Sequence, residues 1–259
     1  MKKNKSYVII MAILFIFLIV MGLVFSLNNN KNEEEDYGMV IIVGDDTIWT
    51  YDNNKWGKGS YYEDFNNKKY YIYINNENSG NYYLSYTGKW EVIDENNENI
   101  LLDGELLALR SNDTIPVYNF STTKIDDYSY VYSVLNDNNL PTISQYTVNK
   151  KIVFDFDNDG EDESFYIISN VFPMGFTPDN VFSIVFMVKN GEIYPIYKDI
   201  NKYSGFNGCK PYISSFLDVD NDSKSEIILS CAEYSVSGVK RMLYKYDNDE
   251  FKILISNNK

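Results

Sequence analysis

Histidine is absent from this 259-residue sequence, and cysteine occurs only at Cys209 and Cys231. Without imidazole there are no Ser-His or Cys-His nucleophilic pairs, no histidine general base and almost no mixed-ligand zinc site. Two thiols are too few for a thiolate metal cluster. Basic residues are scarce as well: 23 Lys and Arg against 37 Asp and Glu leave a net charge of −14. Binding to nucleic acid relies on Lys and Arg neutralising phosphates, so no nucleic-acid partner is expected, and the chain should attract cations. Helical periodicity is missing after Tyr37, and there is a single long apolar run.

That run, Tyr7–Leu27, holds 21 uncharged and mostly apolar residues. At about 1.5 Å per residue, a helix of that length crosses the roughly 30 Å hydrocarbon core of a bilayer. Lys2, Lys3 and Lys5 precede it, and Glu33, Glu34 and Glu35 follow. The basic flank is expected to stay cytoplasmic, with everything after Leu27 outside. This predicts a cytoplasmic tail (1–6), a transmembrane signal-anchor (7–27), a solvated linker (28–36) and an extracytoplasmic C-terminal domain in a single-pass cell-membrane protein. The competing reading is a cleaved signal peptide ending near Ser26 in "VFS". Against it, the run exceeds the usual apolar region of about 7–15 residues and carries no A-x-A site. No cysteine follows the run as a lipoprotein would require. Both readings export the rest of the chain.

The exported part is rich in aromatics, with 24 Tyr and 15 Phe. Short runs of Val, Ile, Tyr and Phe recur there, broken by Asn, Asp and Gly, as β-strands separated by turns. Five segments read as hairpins: Thr47–Trp56, Tyr82–Ile93, Leu106–Tyr118, Ile184–Ile196 and Met242–Leu254. Asn190-Gly191 is a strong tight-turn signal, because both residues tolerate positive φ. A longer unit repeats. "KIVFDFDNDGEDESFYIIS" and "YISSFLDVDNDSKSEIILS" are each followed by a variable loop and a hairpin, and their acidic loops start 63 residues apart. A repeating unit of four antiparallel strands is the signature of a propeller blade. The expected fold is therefore all-β, with repeated four-stranded antiparallel blades in a β-propeller-like arrangement after one N-terminal transmembrane helix. Two repeats should fill 146–259. Residues 37–145 form a divergent β region, either degenerate blades or a separate β domain.

The acidic loops carry the chemistry. Counted from the first Asp, positions 1, 3, 5 and 9 are Asp155, Asp157, Asp159 and Glu163 in one copy, and Asp218, Asp220, Asp222 and Glu226 in the other. Like charges this close repel, and strands are depleted in Asp, so a compensating cation is expected. Oxygen ligands at alternate positions suit a hard ion that takes about 6–8 oxygens, which favours calcium over the more strictly octahedral magnesium. An EF-hand would need an acid at position 12, where Tyr166 and Leu229 stand instead.

The pattern D-x-D-x-D-G-x-x-[DE] between strands resembles the calcium loops of FG-GAP and VCBS-type repeats, found in integrin-like β-propellers. The resemblance covers about residues 150–259. It implies structural calcium, with backbone carbonyls of Glu161 and Lys224, at position 7, completing the ligand set. Position 6 is Gly160 in the first loop, as the family prefers, and Ser223 in the second. The phenylalanyl-glycyl and glycyl-alanyl-prolyl signatures that name the family are not evident.

A hairpin closed by the second loop would place Cys231 opposite Ile213, with Cys209 about four residues beyond the paired position, too far for a direct bridge. A bend at "NGCKP" would restore it, so a disulfide and two buried thiols both stay open. Three function classes fit: a membrane-anchored binding or adhesion module for an envelope protein or glycan, a carboxylate-dependent glycan hydrolase, and a scaffold subunit of an envelope complex. Acids outside the loops that a hydrolase would draw on are Asp103, Glu105, Asp126 and Asp127.

Overall fold

The computed structural model describes residues 38–59, 61–100, 104–111, 114–141, 148–171, 181–201, 208–233 and 238–257. The expected anchor and linker lie outside these residues. Among the described residues, no helix is long and apolar enough to cross a membrane. The described chain is all-β apart from one helix, and its sheets are antiparallel.

The first sheet has eight strands: β1 (Met39–Val43), β2 (Thr47–Asp52), β3 (Lys55–Lys58), β4 (Lys68–Ile74), β5 (Glu77–Tyr86), β6 (Trp90–Ile93), β7 (Asn99–Ile100) and β8 (Leu106–Ser111), in the order β3-β2-β1-β8-β4-β5-β6-β7. Strand β1 explains its own sequence. Met39, Ile41 and Val43 point into one core while Val40 and Ile42 point into another, so an unbroken apolar run is required. The second of these cores is closed by a 3-10 turn at Tyr62–Phe65, where Phe65 is buried and Tyr62 stacks on Tyr86 with ring centroids 4.0 Å apart.

Each expected repeat forms a four-stranded meander. The first comprises β11 (Val148–Phe154), β12 (Glu163–Ser169), β13 (Val181–Lys189) and β14 (Glu192–Asn201). The second comprises β15 (Cys209–Leu217), β16 (Glu226–Glu233), β17 (Gly238–Asp247) and β18 (Glu250–Ser256). Each gains a two-residue edge strand from upstream: β10 (Thr122–Thr123) on β11, and β9 (Val117–Tyr118) on β15.

The sheets lie in layers. The meanders share a core in which Phe165 meets Phe156 at 5.6 Å and Phe216 at 5.0 Å between ring centroids. The other face of the second meander, with Ile228 and Leu243, packs on Ile41, Trp49 and Leu109 of the eight-stranded sheet. The outer face of the first meander is covered by helix α1 (Ser129–Asp137). No ring of blades is formed among the described residues.

Three expectations are corrected. The chain after Tyr37 does contain a helix: α1 buries Val131, Val134 and Leu135 at i, i+3 and i+4, and the Asp127 carboxylate accepts the N–H of Ser129 at 2.9 Å. Its Tyr, Val and Ser content gives weak propensity, and nine residues are too few to hold a helix alone, so the sheet beneath supplies its stability. The Leu106–Tyr118 hairpin does not form, because β8 is an interior strand between β1 and β4 while β9 pairs with β15. The register opposite the cysteines also differs, and the disulfide that the sequence left open is formed, with Cα atoms 5.3 Å apart. Leu217 pairs with Glu226, and a bulge between Ile213 and Ser215 shifts the register again, so Cys231 faces Pro211 rather than Ile213.

Candidate metal centre

Both acidic loops join the first strand of a meander to its second, β11 to β12 and β15 to β16. One frame builds both. The position-1 carboxylate caps the turn: Asp155 accepts the N–H groups of Asp159 and Gly160, both at 3.1 Å. Asp218 does the same for Asp222 at 3.1 Å and Ser223 at 3.0 Å. The position-5 carboxylate accepts the N–H at position 7: Asp159 from Glu161 and Asp222 from Lys224, each at 2.9 Å. The position-9 carboxylate reaches back to the N–H at position 2: Glu163 to Phe156 and Glu226 to Val219, each at 2.8 Å.

Position 2 is the loop's anchor, a role its polar surroundings hide in the sequence. Phe156 is buried between the meanders, and Val219 is buried against the eight-stranded sheet. Positions 4 and 6 are left-handed in both copies, with φ of 55° and 89° at Asn158 and Gly160 and of 58° and 70° at Asn221 and Ser223. Asn tolerates this region, whereas Ser reaches it at a cost of order 1 kcal/mol. The two loops lie side by side: the N–H of Ser225 donates to the Phe156 carbonyl at 3.0 Å. Tyr118 stands close by, its hydroxyl pushed up by burial and by the charges of Asp218, Asp155 and Glu226.

The acids do converge. Ligand oxygens of Asp155, Asp157 and Glu163 lie within 4.8 Å of one another, as do those of Asp218, Asp220 and Asp222. The donor set is all oxygen, which fits a hard cation. Two buried carboxylate oxygens, Asp157 Oδ1 and Glu226 Oε1, have no hydrogen-bond partner, as ligand atoms awaiting an ion would. Glu163 and Glu226 are 2% and 0% exposed. Burial raises the carboxyl of both, that of Glu226 to about 8. Glu161 and Lys224, at position 7, are both exposed.

Sequence reasoning missed a lysine in each site. One step beyond the Ser164–Val188 pair, Glu163 faces Lys189, and one step beyond the Ile227–Tyr244 pair, Glu226 faces Lys245. Lys189 Nζ donates to Asp157 and to Asp159 at 2.9 Å, and pairs with Glu163 at 3.0 Å. Lys245 Nζ donates to Asp220 and to Asp222 at 2.8 Å, and stands 3.7 Å from Glu226. Burial alone would lower both ammonium groups, but their bonds to Asp157 and Asp159, and to Asp220 and Asp222, hold them above the ordinary lysine value. Asp159 is held low chiefly by its bond to Lys189. In Asp222 the bonds from Lys245 and the Lys224 N–H outweigh burial. Glu226 stays high because a 3.7 Å ammonium does not offset its burial. The signal was present in the repeat itself: the third strand of each unit carries a lysine near its end, as "FMVK" and "MLYK".

The acids outside the loops have other roles. Glu105 pairs with the buried Arg241 at 3.5 Å and accepts the Tyr212 hydroxyl at 3.3 Å, joining the eight-stranded sheet to the second meander. Asp126 pairs with Lys151 at 3.6 Å, Asp127 accepts the N–H of Ser129 at the start of α1, and Asp103 lies outside the described residues. No protein-family model, curated protein or solved structure matches this chain.

Proposed function

We propose that this chain is a membrane-tethered, extracytoplasmic binding or adhesion module whose two acidic loops, of FG-GAP and VCBS type, hold calcium in a structural role. The observation that carries this reading is the repetition of one hydrogen-bonded frame at the same point of two stacked meanders. A single acidic turn is common and needs no ion, but two with the same capping bonds, the same left-handed positions and the same buried glutamate are a construction. The paired meanders would correspond to two blades of a propeller-like array, and the 21 apolar residues of Tyr7–Leu27 would tether them outside the cell membrane. An envelope protein or glycan is the expected partner.

Calcium would neutralise the loops and pin the first two strands of each meander. A ligand that binds only the folded state adds about 2.7 kcal/mol at 100 times its dissociation constant. Melting of the detergent-purified full chain should therefore rise in millimolar calcium and fall in chelator, and identical curves would reject the metal. Protease added to intact cells should digest the exported domain and leave a short protected fragment. Recovery of the whole domain from the medium, starting near Leu27, would reject the tether.

A further inference from the structure

Each acidic loop already contains a cation supplied by its own chain. An ammonium group has three N–H donors, and at both sites it is set among the same three carboxylates, those of positions 3, 5 and 9. The position-1 carboxylates have both oxygens taken by backbone N–H groups. The lysine comes from the same place in both meanders, the third strand directly across from the position-9 glutamate. A surface ion pair formed by chance would not recur at one register position with one partner set.

We propose that Lys189 and Lys245 are tethered cations that compete with the divalent ion, so that each loop is closed either by its own lysine or by metal, never by both. This rests on the reading of the loops as calcium sites and adds how they are regulated. Calcium needs oxygens at 2.3–2.6 Å, and the ammonium holds those of Asp159 and Asp222 at 2.9 and 2.8 Å. Two positive groups sharing those oxygens repel strongly at this separation and partial burial. Metal entry therefore requires the lysine to swing out, which its four-carbon stem permits. Metal loss lets it return, keeping the loop folded. Each loop leaves one buried oxygen without a hydrogen bond, Asp157 Oδ1 and Glu226 Oε1, but the ammonium stands 3.0 Å from Glu163 and 3.7 Å from Glu226, so it fills the second site less completely. The second loop is thus the one from which calcium should displace lysine more readily.

The test is calorimetric titration of calcium into the chelator-stripped full chain, for the wild type, Lys189→Met and Lys245→Met. Removing the competitor should tighten calcium binding at the altered loop by 10-fold or more. It should also make folding depend on calcium, whereas the wild type stays folded in chelator. Variants that bind calcium no more tightly than the wild type would overturn the proposal, as would an absence of binding in all three proteins. Binding by the variants but not the wild type would support the competition and overturn calcium as the native resident ion. If a variant does not fold, the wild type still decides. The ammonium protons of Lys189 and Lys245 should be slow to exchange with water in chelator, by 15N-lysine NMR, and should lose that protection at saturating calcium. Protection that persists at saturation would sink the proposal.

Discussion

In the first loop, the buried residue at position 2 is Phe156 and the left-handed residue at position 6 is Gly160; in the second these are Val219 and Ser223. Glu163 lies 3.0 Å from its lysine and Glu226 lies 3.7 Å from its own. The second meander alone carries a disulfide. A single hydrogen-bonded frame is thus kept with a different buried anchor, a different left-handed residue and a different distance between glutamate and lysine in each copy, and only the second meander has a bridge, at the end of its hairpin away from the loop. Repeated units can keep a geometry while exchanging the forces that maintain it.

The largest expected difference is in pH dependence. Glu226, raised from 4.5 to about 8 by burial, binds a proton in the folded metal-free protein that it releases on unfolding. Its contribution is complete below about pH 4.5, declines as pH rises and is gone above about 8, a total of up to about 5 kcal/mol. Urea denaturation in chelator from pH 5 to 9 should show the wild type losing stability relative to Glu226→Gln. A pH-independent difference would mean that Glu226 is ionised throughout.

Truncating the anchors comes next. Phe156→Ala should cost about 3–5 kcal/mol. Val219→Ala should cost about 2 kcal/mol, because two buried methyl groups are worth roughly 0.8 kcal/mol each before the cavity is counted. Equal costs in denaturant titration would contradict the different settings of the two loops. Reduction of Cys209–Cys231, 22 residues apart, should lower stability by about 3 kcal/mol on chain-entropy grounds. A melting temperature unmoved by reductant would remove the covalent half of the comparison.

The smallest effect concerns position 6. Ser223→Gly should stabilise the second loop by about 1 kcal/mol by relieving a φ of 70°. Gly160→Ser should cost about as much, since a Cβ there would meet nothing within 4 Å and only the backbone preference is lost. If both changes are neutral by differential scanning calorimetry, strain at this position does not distinguish the loops.

Strand content and the acidic loops could be read from the sequence because both are local. Short runs of Val, Ile, Tyr and Phe broken by Asn, Asp and Gly mark the strands, and the D-x-D-x-D spacing holds whatever surrounds it. The lysines were harder to see because they are distant in sequence: Lys189 meets Glu163 only once β12 and β13 pair. Helix α1 was hidden because its β-branched and aromatic residues resemble a strand, and only the sheet beneath it selects the helical register. The register opposite the cysteines was misjudged because Leu217 pairs with Glu226 and a bulge in β15 shifts it again, irregularities that no side chain there announces. The Leu106–Tyr118 hairpin failed because strand order in an eight-stranded sheet is a long-range property.

The segment from Ile115 to Leu135 touches every layer. Ile115 packs beside the eight-stranded sheet, Val117–Tyr118 borders β15, Thr122–Thr123 borders β11, and α1 covers the outer face of the first meander. This strap is synthesised before either meander it braces. Until β11 and β15 emerge its two edge strands have nothing to pair with, and the meanders in turn complete their edges only against a strap already in place. A fragment beginning at residue 146 would present two bare strand edges and two uncovered apolar faces, the features by which β proteins adhere to one another. The duplicated half of this chain therefore depends on the half that is not duplicated, and the order of synthesis supplies the brace first.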